Sequence, residues 1–140
     1  MLEQVKRYEN EGYAIELREN CTKIIWQAKV LPEQIRLGLN EVLELMRLQK
    51  TGNLLVDVSG CQTSWVSSND WIVGHWLPVA LQMGLRKVAF LISSNVIQKV
   101  SLDNLCLKLS KRSHLYKRFL GIFSEGEEAC AWLQNSYLAK

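Results

Sequence analysis

Leu54-Leu55-Val56-Asp57-Val58-Ser59-Gly60 carries the clearest fold signal in the chain. Residues 54–58 are apolar except for Asp57, and turn signals flank them: Thr51-Gly52-Asn53 before, Ser59-Gly60 after. A short apolar run bounded in this way reads as a central strand buried on both faces, as parallel strands in α/β sheets are.

Upstream, Pro32 and Glu33 open a helix, where a missing N–H and a negative charge are both tolerated. Ile35, Leu39, Val42 and Met46 then recur at helical spacing. Before it, Tyr13 to Arg18 alternates apolar and polar residues, Glu19-Asn20 supplies a turn, and Lys23 to Ala28 returns as the second arm of a hairpin. Downstream, Ser67-Ser68-Asn69-Asp70 offers N-caps for a helix in which Ile72, His75 or Trp76, Val79 and Met83 share one broad face. Pro78 predicts a kink or an end near Leu77. Lys87 to Ile92 repeats the buried-strand signature. After a turn around Val96 and Ile97, Ser101 is expected to cap a helix carrying Leu102, Leu105 and Leu109. Tyr116 to Phe123 reads as the last strand, and Ser124 with Glu127 matches a capping box for a helix burying Ala129, Trp132 and Leu133. The order β-β-α-β-α-β-α-β-α predicts an α/β fold: one domain over residues 1–140, a mixed four- to five-stranded sheet with an N-terminal β-hairpin, and covering helices.

With 48% apolar and 22% charged residues, the composition is that of a folded globular chain. The net charge of +3 is too small to hold the protein by itself on nucleic acid or an anionic membrane, and nucleic acid is not expected as a partner. Cys21, Cys61, Cys106 and Cys130 are too dispersed for a C-x-x-C metal or redox motif. No opening apolar segment suggests a signal peptide, and no run reaches the ~20 residues of a membrane span, so a reducing cytoplasm is the expected location.

Neither G-x-G-x-x-G nor a P-loop pattern occurs. His75 and His114 are the only imidazoles, and His75 reads as a core-edge residue rather than a general base. Glu125, Glu127 and Glu128 are explained by the positive end of the last helix. No catalytic residue, metal site or cofactor is therefore expected. Lys108, Lys111, Arg112, Lys117 and Arg118 form the one local concentration of positive charge, a candidate anion patch. Trp65, Trp71 and Trp76 lie within twelve residues, and at least one is expected to be partly exposed. Together with His75 they are the candidate surface for a partner or ligand, because binding energy concentrates on indoles.

The run from Leu54 to Gly60, followed by adjacent serines and a helix, resembles the STAS domain, the anti-sigma-factor-antagonist fold. The ending FSEGEEACAWL from Phe123 is similar to the close of SpoIIAA-like, STAS/SEC14-type bacterial proteins. This resemblance implies a regulatory protein–protein interaction module without enzymatic activity. It also implies a phospho-acceptor serine at the start of the helix after the central strand. Counted from Asp57, that position falls on Trp65-Val66-Ser67-Ser68, which keeps a serine at Ser67 and replaces the flanking Asp and Gly of the family with Trp65 and Ser68. Two readings stay open: a module docking an unknown protein partner, switched at Ser67 or Ser68, or a binder of an apolar small molecule or lipid in a tryptophan-rich cleft. Assembly as a homodimer is compatible with both.

Overall fold

The structure, a computed structural model, describes residues 6–135. Six strands form one mixed sheet in chain order: β1 (Lys6–Asn10), β2 (Tyr13–Leu17), β3 (Thr22–Trp26), β4 (Asn53–Asp57), β5 (Lys87–Leu91) and β6 (Leu120–Phe123). The first three are antiparallel, and β3 to β6 run parallel. The α/β class agrees with the sequence reading, whereas the strand number is six rather than four or five. The strand without an apolar signature is β1, whose five residues, Lys-Arg-Tyr-Glu-Asn, are all exposed. A turn at Glu11-Gly12, with Gly12 at φ +90°, folds it onto β2. Charged side chains suit such an edge, because they discourage further pairing.

The helices are α1 (Pro32–Gln49), α2 (Val66–Trp71), α3 (Leu77–Gln82), α4 (Val96–Arg112) and α5 (Gly126–Gln134). Ile24, Trp26, Leu54, Val56, Val88 and Phe90 share the larger core with residues of α1 to α4. Leu55 and Ala89, on the alternate positions of β4 and β5, meet Ala129 and Leu133 of α5 with Cys21 in a smaller core. Lys87 ties that second layer down. Its buried ammonium donates to the carbonyls of Trp132 (2.8 Å) and Asn135 (2.5 Å) at the end of α5, and lies 4.9 Å from the Trp132 ring centroid. A cation is favoured at a helix C-terminus.

Pro78 does not end its helix. A π-helical turn, Ile72–Trp76, joins α2 to α3, so the chain is helical from Val66 to Gln82. The wide turn makes room for a residue without an N–H whose ring crowds the preceding turn. It also rotates the face that α3 presents to the core. Val79 and Met83, expected on the core face with Ile72, are exposed, and Leu77 and Ala80 take the buried places. Three other boundaries differ. α4 begins at Val96, with Asn95 Oδ1 accepting from the Ile97 N–H (2.7 Å), so Ser101 is interior rather than a cap. Residues His114–Arg118 form a 3₁₀ turn, because Tyr116 and Phe119, three apart, pack toward the core together; only Leu120–Phe123 is strand. α5 has Glu125, not Ser124, at its N-cap and no side-chain cap bond, so the Ser124–Glu127 box does not form.

Candidate functional site

The segment Cys61–Trp76 leaves the carboxyl end of β4, the edge at which open α/β sheets place their sites. Asp57 Oδ1 starts the exit turn by accepting from the Ser59 N–H (3.0 Å) and hydroxyl (2.6 Å). The loop is then fixed from two sides. On one, the Gln62 N–H donates to Ala28 O, and Thr63 Oγ1 both accepts from the Val30 N–H (3.0 Å) and donates to Ala28 O (3.2 Å). On the other, α4 holds it. Gln98 Nε2 donates to the carbonyls of Ser59 and Cys61, both at 3.0 Å. Ser101 Oγ accepts from the Trp65 N–H (2.9 Å), and Asn69 Nδ2 donates to Ser101 O and Asn104 Oδ1, both at 3.0 Å.

Gln98, Ser101 and Asn69 are buried, and each bond they make avoids an unpaired polar group that would cost about 1–3 kcal/mol. Gln98, Ser101 and Asn69 are the members sequence reasoning missed as a set. Ser101 and Asn69 both stood out as N-caps, and only their burial reveals the other use.

The indoles divide. Trp65 and Trp76 are buried, with Trp65 edge-on to Trp26 (4.9 Å, 84°) and Trp76 Nε1 donating to Leu39 O (2.8 Å). Trp71 is the half-buried one, and the Arg36 guanidinium lies 5.5 Å from its ring centroid. His75 is exposed rather than at a core edge. Ser67 is exposed on the first turn of α2, and its neighbour Ser68 is buried. Beneath the loop, Val58, Cys61, Trp65, Phe90, Gln98 and Leu102 help line a cavity of about 20 Å³, space for about one water.

Four residues of the cationic set are exposed and Lys108 is half-buried, paired with Asp70 Oδ1 at 2.7 Å. Arg112 reaches back to α2's neighbour: a Cβ added at Gly74 would stand 3.6 Å from its Nη2. The Trp71–His75 surface and the basic end of α4 are thus adjacent. Among the described residues, no group of three or more His, Cys, Asp or Glu is placed to hold a metal ion, and no helix is long and apolar enough to cross a membrane. Neither a family model, nor a curated protein, nor a solved structure matches this chain.

Proposed function

We propose that this chain is a STAS-like, non-enzymatic interaction module of the cytoplasm that docks a protein partner through the outer side of α2 and the π-helical turn. The observation that carries the reading is the closure of Cys61–Trp76 over its own core, with Trp65 buried and a cavity of only about 20 Å³ beneath it. A cavity of that size has no room for a fatty acid, so carriage of an apolar ligand at Trp65 gains no support from it. A firmly backed surface presenting Ser67, Trp71 and His75, by contrast, suits docking. Of the two candidate acceptors, Ser67 and Ser68, Ser67 is the exposed one. A phosphate there adds nearly two negative charges to the docking face and changes which partner it accepts.

The test is affinity capture from the source cell with the intact chain, quantified by mass spectrometry. A protein retained by the wild type should be recovered about tenfold less by Trp71→Ala, the size expected of a central aromatic contact. Ser67→Glu should alter its recovery, and Leu37→Ala, on the outer side of α1, should not. Equal recovery by all four chains would remove the docking face.

A further inference from the structure

α4 is apolar on two opposite sides. Gln98, Ser101, Leu102, Leu105 and Leu109 face inward and are buried. Val96, Val100 and Leu107, spaced by four and seven, lie on the reverse of the helix and are 71%, 53% and 57% exposed. Leu115, on the 3₁₀ turn after α4, is 44% exposed. An aliphatic ridge on the solvent side of a helix contributes nothing to the core and marks a surface that something else covers.

Charge indicates what covers it. Residues 96–118 hold six Lys and Arg against one carboxylate, Asp103, whereas the rest of the chain has eleven against thirteen. Positive charge is therefore concentrated on the element that carries the ridge. Lys99, Lys111, Arg112, Lys117 and Arg118 are exposed, and Lys108 is the one engaged with Asp70. Asp103, exposed three residues after Val100, and the exposed Asp70 carboxylate beside Lys108 are the groups that oppose an anionic partner.

We infer that α4 and the adjoining 3₁₀ turn form an interfacial patch that lies on an anionic lipid bilayer. Aliphatic tips entering the headgroup boundary, with Lys and Arg reaching lipid phosphates beside them, is how amphipathic helices bind such surfaces. Nucleic acid fits less well, because it has no use for Val96, Val100 and Leu107, and the helix offers no aromatic stacking platform. A second copy fits less well too, since two α4 helices face to face would bring like charges together.

The experiment is co-sedimentation of the intact chain with phosphatidylcholine vesicles, plain or containing about one-third phosphatidylserine. Binding is expected to the anionic vesicles alone and to fall with added salt. Val100→Ser with Leu107→Ser should weaken it at least about tenfold, from the lost apolar insertion. Lys111→Ala and Lys117→Ala should each weaken it about fivefold. Both ridge positions are exposed, and unchanged thermal melting would show that the variants fold. The inference is independent of the docking face, so Trp71→Ala should bind vesicles like the wild type. It is overturned by absence of binding to anionic vesicles, or by full binding of the ridge double variant. It is equally overturned by an oligonucleotide that binds more tightly at the same salt and is indifferent to the ridge residues.

Discussion

Two segments that meet at the carboxyl end of the sheet, Cys61–Trp76 and Val96–Arg118, invert what their compositions suggest. The first is rich in indoles and serines, the chemistry of a surface, yet the structure buries Trp65, Trp76 and Ser68. The second has the regular leucines of a core helix, and its reverse side carries aliphatic residues into solvent. The contrast separates size from exposure. A large ring finds a place inside whenever a neighbour can receive it, as Trp26 receives Trp65. A valine left outside has found no such neighbour and is the more informative observation.

Mutations at the two segments should differ accordingly. The largest effect is expected for Trp65→Ala, which removes the ring beneath the loop and should lower stability by about 3–5 kcal/mol in urea unfolding. A loss under about 1 kcal/mol would mean that the loop is not seated as described. Next is Ser101→Ala, the point at which the segments touch. It leaves the buried Trp65 N–H without its acceptor and should cost about 1–3 kcal/mol by the same measurement.

A subtler probe enters from the far end of the aromatic row. Tyr13 lies 5.4 Å from Trp26, and its hydroxyl donates to Glu41 Oε1 at 2.7 Å. Burial, then that bond, pushes its phenol from 10.0 up to about 12. Between these values the folded chain keeps a proton that the unfolded chain has released. Stability from this group is therefore complete below pH 10 and declines toward pH 12, by about 1.4 kcal/mol per pH unit within that window. Tyr13→Phe should flatten that part of the alkaline unfolding profile; an identical slope in both chains would dismiss the role of Tyr13. The smallest effect is predicted on the ridge, where Leu107→Ser should change stability by no more than about 0.5 kcal/mol. A clearly larger loss would place Leu107 in a packed contact and abolish the contrast.

Where the sequence was readable, one residue pattern had one physical outcome. The run read from Leu54 gives the strand Asn53–Asp57, and Lys87–Leu91 is its neighbour; both are central, because apolar runs of that length suit a sheet covered on both sides. The hairpin from Tyr13 and the helix from Pro32 were legible for equally local reasons. β1 was not, because an all-exposed edge strand carries no burial signal and is held by the hydrogen bonds of its neighbour. The end of the α2–α3 face was lost for another reason. Helical periodicity assumes a constant turn, and the π-helical turn before Pro78 moves burial from Val79 and Met83 to Leu77 and Ala80. At the candidate site, the exposure of Ser67 against the burial of Ser68 depends on which side of a short helix meets Ser101 and Asn104, a contact more than thirty residues away in the chain. Adjacent serines look alike until that long-range contact is known.

The sheet's strand order is also a timetable. Because β1 to β6 lie side by side in the order in which they occur along the chain, each strand emerging during synthesis meets an edge already built. Strand insertion between earlier neighbours is never required. The exception is the second layer: Leu55 and Ala89 stay uncovered by α5 until residues 126–134 have been made. Lys87, translated 45 and 48 residues before the two carbonyls it binds, is the latch that completes the assembly.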